Sequence, residues 1–353
     1  MRIYFAPMEG ITTYLYRNLH YKYYGGVDIY FTPFLSPGPN QGMSVKEMRD
    51  ILPENNGDTP VVPQILTNQA EDFLDGAAKL SDYGYREVNL NLGCPSGTVV
   101  SKKKGSGFLS APEELDRFFD RVFAASMIKD GEVSVSVKTR IGKLSPEEWP
   151  ELMKIYNRYP LKELIIHPRI QKDFYKNTPN REVFRQALSD SKNPVVYNGD
   201  LFSGEAYLRF RNEFPAVETV MLGRGMVQNP ALAEEIRRVR EKTGARTGNV
   251  CEMDHGIVTV KGAGINTRSV LAEESGAAGG EERKRLRAFH DELLSGYREI
   301  MSGDRNVLFK MKEIWSYLLL EFPGEKKAGK RLMKAVRMEE YQAAVEEILG
   351  DTV

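Results

Sequence analysis

Residues 133–167, VSVSVKTRIGKLSPEEWPELMKIYNRYPLKELIIH, hold a complete strand–helix–strand unit. Val133, Val135 and Val137 alternate with Ser134, Ser136 and Lys138, the period-2 pattern of a strand over Val133–Lys138. Ser145-Pro146-Glu147-Glu148 then supplies a polar cap, a first-turn proline and first-turn acids, so a helix is expected over Ser145–Arg158. Glu163–His167 follows as a second short apolar run. Working outward, the same alternation recurs. Further strands are expected at Ile3–Phe5, Asp28–Phe31, Val61–Ile65, Glu87–Asn91, Val195–Asn198 and Thr219–Gly223. Helical patterns fill the gaps at Thr13–Tyr23, Gln69–Asp82, Pro112–Ile128, Arg181–Leu188, Gly204–Asn212 and Pro230–Thr243. Eight units of this kind predict a (β/α)8 TIM barrel over residues 1–242. A doubly wound open sheet is the alternative. It wants a glycine fingerprint after its first strand, and Ala6-Pro7-Met8-Glu9-Gly10 lacks one.

The composition changes beyond the barrel. Between Thr243 and Glu282, eight of forty residues are glycine, which reads as a linker or insertion over 243–282. Glu281–Met301, Asn306–Glu321 and Lys326–Leu349 are amphipathic, and a small all-α helical domain is expected over 283–353. The chain has 49 Lys plus Arg and 49 Asp plus Glu, yet 14 basic and 7 acidic residues lie between Arg283 and Arg337. A basic helical domain thus accompanies a slightly acidic barrel; its charge is either solvated surface or the local patch that nucleic-acid binding would need. Cys94 and Cys251 cannot form a disulfide framework, and no run of 18 apolar residues occurs. The N-terminus lacks a secretory pattern, so a cytoplasmic protein is expected, with no membrane or metal partner and as a monomer. Cys251 and His255 without two further ligands do not make a zinc site.

Barrel enzymes work at the C-terminal ends of their strands. Those ends carry Pro7 and Met8, then Gln64, then Asn89, Asn91 and Gly93-Cys94-Pro95. They continue with Lys138-Thr139-Arg140, His167-Pro168-Arg169, Asn198-Gly199-Asp200 and Gly223-Arg224-Gly225. Gln64 can satisfy backbone groups or hydrogen-bond a flat heterocycle. Lys138, above two lumen-facing serines, can hold negative charge on a reduced cofactor. His167 and Arg169 can bind a phosphate, since the Arg fork matches its oxygens. The last two loops suit a phosphate as well, because barrels often bind one after strands seven and eight. Cys94 lies in a loop expected to be accessible; its thiol, with a pKa of about 8.5, can act as a general acid. Gly105-Ser106-Gly107 reads as a flexible turn, and Lys102-Lys103-Lys104 as solvated surface or a phosphate contact.

These motifs, in this order, resemble the tRNA-dihydrouridine synthases, a flavoprotein family, over almost the whole chain. Phe5–Thr12 is similar to the family's opening motif, and Asn91-Leu92-Gly93-Cys94-Pro95 to its most specific signature. The resemblance implies FMN contacts from Pro7, Met8, Gln64, Lys138 and His167, with the phosphate held by Asn198, Gly199, Asp200, Gly223 and Arg224. It implies that Asn91 positions the target uracil and that Cys94 protonates C5 after hydride from the flavin N5 reaches C6. Arg140 and Arg169 fall to flavin phosphate or RNA. NADPH would be the reductant, tRNA the partner, and 283–353 its binding domain. Two other classes stay open: an FMN barrel acting on a free small molecule, like a dihydroorotate dehydrogenase, and a non-catalytic RNA-binding module.

Overall fold

The computed structural model describes residues 1–38, 42–247 and 278–350. Most of the glycine-rich stretch 243–282, including Cys251 and His255, lies outside the described residues. Eight parallel strands form one closed barrel in sequence order. They are β1 (Arg2–Phe5), β2 (Ile29–Leu35), β3 (Val61–Ile65), β4 (Glu87–Leu92), β5 (Ser134–Arg140), β6 (Leu164–His167), β7 (Val195–Asn198) and β8 (Thr219–Leu222). β8 closes on β1 through pairs such as Phe5↔Leu222. Helices alternate with the strands along the chain.

Two strands run further than their patterns suggested. Pro33 is a natural strand end because it has no N–H to donate. β2 nevertheless continues to Leu35, with a register shift between Phe31 and Phe34 that takes the proline out of the ladder. β5 extends to Arg140, which pairs with His167.

Chain contacts divide the described residues into two compact units. The first comprises Met1–Tyr21, Val27–Asp200 and Phe214–Arg224, and holds all eight strands. Its lumen is sided. Tyr4, Ala6, Phe31, Val62, Ile165, Val196 and Met221 form a buried apolar cluster from β1–β3 and β6–β8. Across β3, β4 and β5 the register instead brings together Gln64↔Asn89 and Asn89↔Ser136, three fully buried polar residues.

The second unit comprises Lys22–Gly26, Leu201–Glu213 and the described part of Gly225–Val353. The helix Gly204–Glu213, between β7 and β8 in the chain, belongs to it. Its C-terminal helices are Ala278–Ile300, Asp304–Leu318, Lys326–Lys334 and Met338–Leu349. The expected single helix over Lys326–Leu349 is broken in two. Ala335 leaves the helical conformation and its carbonyl accepts from Lys312 Nζ at 2.9 Å. The break lets Leu332 of one helix and Tyr341, Val345 and Ile348 of the next bury their apolar faces. Trp315 Nε1–H donates to the Tyr341 hydroxyl at 2.8 Å, and that hydroxyl lies 2.7 Å from His290 Nε2, so the polar groups of this buried triad satisfy one another.

Candidate active site

The N-terminal motif is a tied loop. Met8 N–H donates to Thr12 Oγ1 at 2.8 Å, and Arg17 Nη1 donates to the Thr12 carbonyl at 2.8 Å. Arg17 is fully buried beside Asp50 and Asn56, which fixes the loop after β1. Gly223, after β8, lies against it: a methyl there would stand 3.3 Å from Ala6 Cβ and 3.7 Å from Met8 Sδ.

The loop after β4 is pinned rather than flexible. Asn91 Oδ1 accepts from the backbone N–H groups of Gly93 and Cys94, both at 2.9 Å. Arg140 Nε donates to the Gly93 carbonyl at 3.0 Å, and Gln171 Nε2 to the Pro95 carbonyl at 3.2 Å. Gly105-Ser106-Gly107, expected to be a flexible turn, is a buried 3-10 segment that closes the other side. Ser106 Oγ and its backbone N–H both donate to the Cys94 carbonyl, at 2.7 and 3.1 Å. Gly105 has φ +56°, and a Cβ there would come within 2.9 Å of that carbonyl, so glycine is required. Cys94 is half-buried, and burial pushes its thiol pKa up, with Lys138 and Arg140 opposing more weakly. The thiol therefore keeps its proton at neutral pH.

Lys138 stands beside this loop, its Nζ 3.9 Å from where a Gly93 methyl would lie. Burial, then Arg140, pull its pKa down to about 7. Among the described residues no carboxylate pairs with it. His167 Nε2 accepts from Arg169 Nη1 at 3.0 Å, which leaves the proton of the neutral ring on Nδ1. Burial and then the cations Arg140, Lys138, Arg169 and Arg224 hold the ring's pKa well below its usual value, so it stays neutral.

All three arginines expected to touch ligand, Arg140, Arg169 and Arg224, are engaged with protein. Arg140 donates to the carbonyls of Gly93, Ile170 and Phe174. Arg169 forks onto Asp200, which also accepts from Arg224. Asp200 thus braces two guanidinium groups at the β6–β8 side of the barrel mouth, and Asn198 Nδ2 donates to the Met221 carbonyl at 2.8 Å. Tyr175, which its sequence position did not single out, stacks on His167 at 6.0 Å. The guanidinium carbons of Arg140 and Arg224 lie 5.4 and 4.5 Å from its ring centre. The structure therefore brings together Gln64, Asn91, Cys94, Lys138, Arg140, His167, Arg169, Asp200 and Arg224 through direct contacts or shared neighbours. Pro7 and Met8 lie on the tied loop after β1, next to Gly223.

In the second unit, five of the nine residues of Lys326–Lys334 are basic. Lys326, Lys327, Lys330 and Lys334 are exposed and, among the described residues, unpaired. Phe309, 59% exposed, carries Arg305 and Lys312 within 5.8 Å of its ring centre. Among the described residues no helix is long and apolar enough to cross a membrane, and no group of three potential metal ligands occurs.

Residues 4–272 match the protein family described as dihydrouridine synthase. The chain is 29% identical over 236 residues to a probable tRNA-dihydrouridine synthase of Staphylococcus epidermidis, spanning 65% of this chain and 70% of that protein. It is 28% identical over 239 residues to probable tRNA-dihydrouridine synthase 2 of Bacillus subtilis, with the same coverages of 65% and 70%. Among solved structures, morphinone reductase is similar over 67% of this chain and 85% of its own, at 14% identity and a TM-score of 0.47. The order of the motifs along the barrel and the match across residues 4–272 agree: the chain belongs to the dihydrouridine synthase family, oxidoreductases that form dihydrouridine.

Proposed function

We propose that this chain is an FMN-dependent tRNA-dihydrouridine synthase that reduces the C5=C6 bond of uridines in tRNA, with NADPH as electron donor. The observation that carries the reading is a half-buried free thiol, Cys94, held in a pinned loop beside Lys138. FMN fits the donors at the mouth. Lys138 has a cation with no carboxylate partner among the described residues, and His167 has its Nδ1–H to donate. The loops at Asn198–Asp200 and Gly223–Arg224 offer backbone N–H groups beside two braced arginines, which suits the phosphate. Pro7 and Met8 would flank the cofactor from the loop after β1. Gln64, expected to touch it, is fully buried with its amide engaged by Asn89 and Asn91, so it supports the site from beneath.

FMN, when bound, supplies the hydride that reaches uracil C6. The chain's own residues do the rest. Asn91 orients the base edge. Cys94 gives its proton to C5; the elevated thiol pKa keeps that proton available at neutral pH. Lys138, cationic when a negative charge sits beside it, stabilises that charge. Arg140 holds the Cys94 loop through Gly93, and Arg169 sets the tautomer of His167; their role is to position these groups around cofactor and RNA.

A uridine inside folded RNA must leave its stack to reach this site, at a cost of a few kcal/mol. Phosphate contacts from the basic helix Lys326–Lys334 and stacking on the exposed ring of Phe309 would offset it. The test is an anaerobic absorption spectrum of the purified protein. Flavin bands that bleach with NADPH and return only with tRNA lacking dihydrouridine support the reading. Return with a free pyrimidine instead points to a small-molecule reductase. A protein that cannot be reconstituted with FMN overturns the cofactor assignment.

A further inference from the structure

A single file of hydrogen bonds runs up the barrel wall to the Cys94 loop, and its lower half lies remote from the mouth. Glu87, at the start of β4, accepts from Lys162 Nζ at 2.6 Å and from Ser136 Oγ at 2.7 Å. Ser136 accepts from Asn89 Nδ2 at 2.9 Å. Asn89 Oδ1 accepts from Gln64 Nε2 at 2.7 Å, and Gln64 Oε1 from Asn91 Nδ2 at 2.7 Å. Asn91 Oδ1 then accepts the N–H groups of Gly93 and Cys94. Ser136, Asn89 and Gln64 have no exposed surface, and Glu87 and Asn91 are buried too.

The file has one direction, and its two ends impose it. Two backbone N–H groups at the top require an oxygen from Asn91. A carboxylate at the bottom accepts only, so it commits the one hydroxyl proton of Ser136. Ser136 can then only accept from Asn89, which turns the Asn89 oxygen to Gln64 and the Gln64 oxygen to Asn91. Reversing any one amide would set two like atoms about 2.7–2.9 Å apart among residues with little or no exposed surface. Each link in the file runs between neighbouring strands.

We propose that Ser136, with Glu87 behind it, is a positioning residue that anchors the lower end of this file and so steadies Asn91 and the placement of Cys94 at the barrel mouth. The catalytic half of this inference rests on the reading of Cys94 as the proton donor; the placement half does not. Ser136→Ala removes the link, and Ser136→Thr restores a hydroxyl.

The experiment uses the full-length flavoprotein and reads two quantities. One is the single-turnover rate at which tRNA reoxidises the reduced protein. The other is the rate of Cys94 alkylation by iodoacetamide, resolved from Cys251 by peptide mapping. In Ser136→Ala the turnover rate is expected to fall by about 10–100-fold, the range for a reacting group displaced by an ångström or less. tRNA affinity and flavin content should hold. Cys94 alkylation should change severalfold, and Ser136→Thr should recover both rates. A merely structural role would lower the melting temperature and leave both rates alone, and that result overturns the proposal. If Ser136→Ala does not fold, Glu87→Gln carries the test. It is nearly isosteric, removes the charge that commits the serine proton, and should move both rates the same way by less; no change in either overturns the proposal. Altered alkylation with unaltered turnover would support the placement role and overturn Cys94 as proton donor, which separates the two readings.

Discussion

On the β3–β5 side of the barrel, Cys94 is held mainly by neutral groups, amides, a hydroxyl and backbone N–H groups, with Arg140 reaching across to the Gly93 carbonyl. On the β6–β8 side, charges hold charges: Asp200 braces Arg169 and Arg224, and Arg169 settles the tautomer of His167. The difference fits the two tasks proposed. A proton donor must keep its proton, so its surroundings should be buried and nearly neutral. An anion site must present positive charge without collapsing, so its cations need a brace that does not cancel them. Four cations, Lys138, Arg140, Arg169 and Arg224, act together on His167, with Asp200 bridging two of them. Lys138 stands where the two sides meet.

Cys94→Ala should break the neutral side most. FMN should stay bound while uridine reduction falls by about 10²–10⁴-fold, the usual worth of a positioned acid. Turnover on tRNA with matched flavin content measures it, and wild-type turnover would remove Cys94 from the chemistry. Arg169→Ala should break the charged side. It leaves His167 Nε2 without its donor and Asp200 with one arginine fewer, a loss approaching the roughly 3–5 kcal/mol of a broken buried ion pair, reduced because Asp200 is partly exposed. Urea unfolding reads it, and FMN affinity should drop with it.

Lys138→Met sharpens the comparison through pH. The folded-state pKa of Lys138 is about 7, against about 10.4 for an unfolded lysine. The unfolded chain therefore binds more protons between those values. The destabilisation from a buried cation is full below pH 7 and fades as pH rises toward 10. Flavin-free Lys138→Met should accordingly melt higher than wild type at pH 6, with the gain shrinking toward pH 10. A constant difference across that range would show that packing, not charge, sets the effect. The smallest effect concerns charges that protein groups do not hold. Lys330→Glu with Lys334→Glu should weaken tRNA binding and make its salt dependence shallower, by about 0.7–0.9 in slope per lost phosphate contact. Turnover at saturating tRNA should not change.

Much of the site was readable because strand ends are readable. Valine alternation at 133–137 placed Lys138 near the end of its strand, and the residues singled out after each apolar run lie in the last residues of the strands or in the loops that follow them. The strand expected at Asp28–Phe31 fell short because β2 runs on through Pro33 to Leu35, which the shifted pairing of β2 with β3 accommodates. Gly105-Ser106-Gly107 looked like a turn because glycine permits one; its Ser106 instead binds the Cys94 carbonyl, twelve residues away in the chain. Tyr175 lies in a loop with no periodicity, so nothing local marked it as the ring between His167, Arg140 and Arg224.

Taken alone, the sequence determined the barrel, the order of its polar strand ends and the presence of basic helices, because periodicity and local charge are properties of neighbouring residues. Tertiary structure decided which of those polar groups face ligand and which hold one another. Arg140 and Arg169 are equally cationic in the sequence, yet both are engaged with protein groups. Ser136 and Glu87 look like an ordinary strand pair, yet they lie in line with Cys94. Such assignments depend on register between strands and on which donor meets which acceptor, and the chain acquires that information only when the barrel closes.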